Sequence, residues 1–140
     1  MVQSFPPPWH LQGSGFIMVY KFPADFVKTR GFVTPEMFED FRGGLGMVML
    51  VDYHQSDAGP YQELLFIPGC FTFGKRKCYS ISKIYVSTMD SVENGRANWG
   101  IPKEQAEFFV KIGNNQMDKV TVSQQGQEIM NATFRPYPVS

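Results

Sequence analysis

Short apolar, β-branched and aromatic runs recur along the chain, most of them bounded by Gly, Pro, Asn or Asp. Runs of that length cannot make long helices, so the chain is confined to strands joined by tight turns. Residues 15–20 read as a short, mostly buried strand, 47–53 as a second and 61–67 as a third. Residues 79–86 read as one strand, with Tyr79, Ile81 and Lys83 on one face at its start. Residues 106–112, 119–122 and 128–134 close the chain as an antiparallel meander, turned at Asn114-Asn115 and Gln125-Gly126. Helix is limited to two places. Thr34-Pro35-Glu36 is a strong helix start, with a Thr cap and Pro in the first turn. It leads into Met37, Phe38 and Phe41, which share a face that packs on a sheet. Residues 91–99 predict a second short helix. The fold class expected is mainly β (β-rich α+β): an antiparallel, barrel-like sheet with one or two short helices.

With 140 residues, 43% hydrophobic and 15% aromatic, the chain suffices for one core, and residues 1–140 read as a single domain. Thirteen basic and thirteen acidic residues cancel with no long run of either sign, so neither nucleic acid nor a membrane is an expected partner. Lys75-Arg76-Lys77 is a solvated hairpin tip. No apolar stretch reaches the ~18 residues that span a bilayer, and the N-terminus lacks the pattern of a secretory signal. A cytoplasmic address follows by default. Pro6-Pro7-Pro8 is an extended lead-in. Cys70 and Cys78 are symmetric about Gly74, so a hairpin through Phe73-Gly74-Lys75 would set them across from one another. Cytosolic thiols are normally reduced, and no disulfide is expected. Two cysteines and two dispersed histidines do not make a zinc site. Asp52, His54 and Asp57 read as loop polarity ahead of the turn at Ala58-Gly59-Pro60, and His10 has no obvious partner.

Gly95-Arg96-Ala97-Asn98-Trp99-Gly100-Ile101-Pro102-Lys103 offers a candidate nucleophile, although from spacing alone Lys103 reads equally as an ordinary surface lysine after a turn. Pro102 fixes its own φ and restricts the residue before it, so the backbone enters Lys103 rigidly. Gly95 and Gly100 permit tight turning or close backbone approach. A rigid mount is what a nucleophilic amine needs to meet a carbonyl carbon in one geometry. Upstream, strand periodicity puts Tyr61, Glu63 and Leu65 on one face. If that face lines a cavity, Glu63 is a carboxylate among apolar groups, with a raised pKa and a proton to exchange. A salt bridge from Glu63 to Arg96 is the competing reading.

The run GRANWGIPK resembles the lysine motif of the acetoacetate decarboxylase family, G-R-x-x-x-G/A-x-P-K. Gly59-Pro60-Tyr61-Gln62-Glu63 resembles that family's G-x-Y-x-E segment, in the family's order. The resemblance implies a Schiff base between Lys103 and a small ketone or keto acid, with Glu63 as acid/base and Tyr61, Arg96 and Trp99 around the substrate. It implies no cofactor, because a protonated imine is itself the electron sink. The chain is shorter than typical relatives, so the resemblance implies a homo-oligomer that completes the fold, or a truncated chain.

Three departures bear on the activity. Family decarboxylases have a second lysine after the first, where this chain has Glu104. The expected arginine ahead of the first strand falls near Gly13, and the expected upstream glutamate near Val48. In the family the lysine is activated by desolvation or a neighbouring cation. A carboxylate at ~8 Å would raise its pKa by roughly 1.5 units, whereas burial lowers it by up to ~3–5. Desolvation prevails if Glu104 points away. The leading function is therefore Schiff-base lyase chemistry on a small carbonyl compound, by decarboxylation, aldol or dehydration steps. The alternative is a non-catalytic β-barrel that binds a small apolar ligand or assembles with itself.

Overall fold

A computed structural model describes residues 3–113 and 116–136. The expected turn at Asn114-Asn115 and the tail after Pro136 lie outside the described residues. The elements follow in the order β1 (Gln12–Tyr20), α1 (Ala24–Arg30), α2 (Pro35–Glu39), β2 (Phe41–Gly43), β3 (Gly46–Gln55), β4 (Tyr61–Ile67) and β5 (Cys70–Phe73). Then come β6 (Arg76–Tyr79), β7 (Lys83–Val86), α3 (Met89–Trp99), β8 (Lys103–Gln105), β9 (Glu107–Gly113), β10 (Gln116–Gln124) and β11 (Gln127–Thr133).

The central sheet has five strands in the order β1-β3-β4-β7-β8, and a three-stranded meander β11-β10-β9 stacks on it. A small sheet β2-β5-β6 completes the β structure. The fold is mainly β with short helices, as the sequence reads. Two features depart from that reading. Among the described residues the sheets remain three separate sheets rather than one closed barrel. And β7 pairs with β8 in parallel, because α3 intervenes and carries the chain back to the start of the sheet, as parallel pairing requires.

Strand periodicity gives the central sheet two different faces. Leu50, Leu64 and Tyr85 point to the front, where they form a buried core with Ala106, Met117, Val120 and Val122 of the meander. Tyr61 and Val86 point to the back and pack with Val92 of α3. Truncating a fully buried aliphatic side chain such as Leu50 costs about 2–5 kcal/mol.

Several local expectations are corrected. Strand β1 is a sheet edge and is not mostly buried: Phe16 and Met18 face the core, while Ile17 and Val19 on the alternate face are 60% and 53% exposed. The single strand expected over 79–86 is two, split at Ser80-Ile81-Ser82, where the chain leaves the small sheet for the central one. The hairpin turns through Gly74-Lys75, pairing Cys70 with Tyr79 and Phe71 with Cys78, so the cysteines are one register step apart and both are free thiols. The Thr34 hydroxyl caps α2 by accepting from the Met37 N–H, but the helix ends at Glu39, and Phe41 already belongs to β2. Helix α1 has no counterpart in the sequence reading. Its start has no side-chain cap, and it is held by Val27, which is completely buried.

Candidate active site

Helix α3 starts at the Thr88 cap and ends at Gly100, whose φ of 67° is left-handed and suits glycine. The chain then passes Ile101-Pro102 and enters β8 at Lys103. Both main-chain groups of Lys103 are held: its N–H donates to Ile101 O at 2.8 Å, and Arg96 Nε donates to its carbonyl at 3.0 Å. Register with Ile84 turns the Lys103 side chain to the back face of the sheet. There it lies across Gly95 of α3. A methyl group on Gly95 would sit 2.7 Å from Lys103 Cδ and 2.9 Å from Cε. The glycine is the groove in which the lysine lies.

Lys103 is 4% exposed, and Glu63 on β4 is 7% exposed. The amine lies 3.5 Å from Glu63 Oε1 and donates to Ser91 Oγ at 3.1 Å. It also sits 5.2 Å from the Tyr61 ring centre and 5.6 Å from that of Trp9. The Tyr53 hydroxyl donates to the other Glu63 oxygen at 3.4 Å. Burial dominates the titration of both charged groups. It lowers the Lys103 amine from its ordinary value near 10.5 and raises the Glu63 carboxyl from 4.5, each opposed by attraction to the other. Burial and the Glu63 charge push Tyr53 up to about 12 and raise Tyr61 further. Low polarity thus favours the neutral form of the pair, a free amine beside a protonated acid.

Glu104 does not reach this site. It alternates to the front face, where it pairs with Lys83 and accepts from Gln124 Nε2. Its carboxyl is pulled below the ordinary value by the Lys83 contact. The condition for desolvation to govern Lys103 is met.

The pair opens on a cavity of about 310 Å³. Leu65, Ile84 and Ile101 form apolar walls, and Trp9 and Trp99 meet edge-to-face across 5.0 Å at its rim. The N-terminal segment straps over it. Asn94 receives the Phe5 N–H at 2.7 Å and donates to Gln3 O at 2.8 Å, while Asn98 donates to Phe5 O at 2.8 Å. The Trp9 indole donates to the same Phe5 carbonyl at 3.0 Å. A separate apolar cavity of about 370 Å³ is lined by Phe22, Phe66 and Tyr85 on the front of the sheet, and neither Lys103 nor Glu63 reaches it.

Of the residues singled out in the sequence, Lys103, Glu63 and Tyr61 converge, and Trp99 stands at the cavity rim. Arg96 does not line the cavity. It is exposed, spends Nε on the Lys103 carbonyl, and its charge is felt by Glu104. The ion pair expected between Glu63 and Arg96 is formed instead by Glu63 and Lys103. Gly13 is paired to Tyr53 so closely that a Cβ would lie 2.3 Å from Asp52 O, and Val48 packs against the front core. Neither position supplies a charge. Sequence reasoning missed Ser91, Tyr53, Trp9 and Asn94. Tyr53 immediately precedes His54 at the end of the strand expected over 47–53, but its cross-strand pairing with Tyr61 depends on register.

The acetoacetate decarboxylase family profile matches residues 1–139. The chain belongs to the acetoacetate decarboxylase family. Among solved structures, acetoacetate decarboxylase from Legionella pneumophila superposes with a TM-score of 0.68 at 14% identity, over 89% of this chain and 48% of that one. The enduracididine biosynthesis enzyme MppR complexed with pyruvate superposes at 0.64 with 18% identity, over 89% and 55%. Among curated relatives, Protein NEOXANTHIN-DEFICIENT 1 of Arabidopsis thaliana is 29% identical over 108 residues, 76% of this chain and 38% of that protein. This family member therefore spans about half or less of the length of the relatives it matches. No helix among the described residues is long and apolar enough to cross a membrane.

Proposed function

We propose that the site forms a Schiff base with a small carbonyl compound, with Lys103 as nucleophile and Glu63 as proton carrier. The observation that carries the reading is the burial of one lysine against one carboxylate, at 3.5 Å, on the wall of an apolar cavity. One proton shared by the pair suffices. The neutral amine attacks the carbonyl carbon, Glu63 protonates the carbinolamine oxygen, and water leaves. An iminium then faces the Glu63 carboxylate. The Tyr61 and Trp9 rings face the same nitrogen and stabilise its positive charge. Glu63 next removes a proton from the carbon beside the iminium, giving a neutral enamine. The Lys103 contacts to Ser91 and Gly95 fix the amine's direction, and Tyr53 orients the carboxyl.

The proposed working form is a homo-oligomer, supported by Ile17 and Val19 standing exposed on the back of the edge strand; sedimentation velocity tests it. The chemistry is tested by incubating the folded protein with a panel of carbonyl compounds and sodium borohydride, then reading intact mass and peptide maps. A reduced adduct on Lys103 is the expected result. Its absence with every compound would favour a non-catalytic apolar binder.

A further inference from the structure

We infer that the Lys103 cavity selects neutral ketones and aldehydes carrying an apolar, aromatic-sized group, and discriminates against keto acids. The inference rests on the Schiff-base reading and narrows its substrate class.

The argument is one of charge. Among the described residues, Lys103 and Glu63 are the only charged groups that line the cavity. The nearest other cations are committed elsewhere. Arg96 holds the Lys103 carbonyl and lies toward Glu104, and Lys83 pairs with Glu104 on the front of the sheet. Once water has left, a neutral ketone gives one iminium and one carboxylate in contact. A keto acid gives one iminium and two carboxylates, so one buried anion has no partner.

Two of the neutral donors on the cavity wall are committed elsewhere: the Tyr53 hydroxyl donates to Glu63 and the Trp9 indole N–H to the Phe5 carbonyl. The Tyr61 and Trp9 rings turn toward the amine, and ring faces attract cations and repel anions. The rest of the wall is Leu11, Leu65, Ile81, Ile84, Ile101 and the rim indoles. At about 310 Å³ the space is at the small end of ligand pockets, which run ~300–1,000 Å³, and fits a single ring with a short side chain.

A neutral ketone has no carboxylate to lose, so its enamine is reprotonated or attacks a second carbonyl. Reprotonation is directly measurable. Glu63 passes the abstracted proton to solvent and returns a deuteron from D₂O to the same carbon, leaving the ketone otherwise unchanged.

The test compares benzylacetone with its para-carboxylated analogue, and with pyruvate and acetoacetate, on the full chain near pH 7. It follows borohydride trapping by mass and α-deuteration by proton NMR. Benzylacetone is expected to label Lys103 and to exchange at least ~10-fold faster than its carboxylated analogue, with exchange lost in Lys103→Ala. Leu11→Arg places a cation at the rim, where Leu11 is 42% exposed, and is expected to close most of that gap. Equal or faster trapping of the carboxylated compounds overturns the neutral preference and leaves the Schiff-base reading standing. A preference unchanged in Leu11→Arg overturns charge as its cause. No adduct with any carbonyl compound overturns both.

Discussion

Two lysine–glutamate pairs lie on opposite faces of the central sheet, and they behave in opposite ways. Lys103 and Glu63 are on the back, with side chains 4% and 9% exposed. Lys83 and Glu104 are on the front, 23% and 35% exposed. Lys103 and Glu104 are consecutive residues, separated onto the two faces by the alternation of β8. In the back pair burial dominates, so Glu63 is raised and Lys103 lowered. In the front pair the contact with Lys83 dominates, and Glu104 is lowered. The partner types are identical. Solvent access decides whether they make an ordinary surface ion pair or a buried pair whose charged forms are both disfavoured.

Removing each lysine breaks the comparison most sharply. Lys103→Ala is expected to abolish borohydride adduct formation, whereas Lys83→Ala retains it; intact mass after trapping distinguishes them. The next effect is on stability. Lys103→Met takes away the polar partner of the buried Glu63 carboxyl and is expected to cost about 1–3 kcal/mol at neutral pH in urea unfolding, with much of it recovered when Glu63→Leu is added.

Gly95→Ala sharpens the claim that the helix is shaped around the lysine. Alanine favours helix by about 1 kcal/mol over glycine, but its methyl would collide with Lys103 Cδ and Cε. The expected result is a change in stability within about 2 kcal/mol, accompanied by a loss of trapping rate on the order of 10²-fold.

The pH dependence separates the pairs by sign. The folded Glu63 holds its proton above 4.5, where the unfolded chain has lost it, so its contribution to stability falls as pH rises through that window. Lys103 titrates below 10.5 when folded, so its contribution rises again toward alkaline pH. Glu104 runs the other way from Glu63: its stabilisation is present above 4.5 and lost on acidification. Unfolding curves from pH 4 to 10 on wild type and Glu63→Gln are expected to differ in slope most in the window that opens above pH 4.5. Smallest of all, Glu104→Gln is expected to cost less than about 1 kcal/mol, as exposed pairs do.

The back site was legible where its signal is local. Pro102 ahead of Lys103, the glycines around it, and the G-x-Y-x-E spacing on β4 are all short-range features, and through the family resemblance they singled out Lys103, Glu63 and Tyr61. Long-range contacts were not legible. Trp9 and Asn94 meet Lys103 and the N-terminal strap only through tertiary packing, and Ser91 reads as an ordinary early helix residue. Arg96 was placed by motif, which gives spacing but not the direction of a long side chain. In the fold, alternation gave most strands their approximate extents. It could not reveal that β1 is an edge, or that α3 makes the β7–β8 pair parallel. The uncapped α1 escaped because Val27 holds it by burial rather than by any terminal signal.

The most direct measurement is the Lys103 pKa itself, from reductive ¹³C-methylation and NMR titration, with Lys103→Ala to assign the resonance. Burial, opposed by the Glu63 charge, is expected to place it below 10.5, with the shift reduced when the cavity is opened by Trp9→Ala. A Lys103 amine titrating at or above 10.5 in the folded protein would contradict the claim that this site holds a nucleophile.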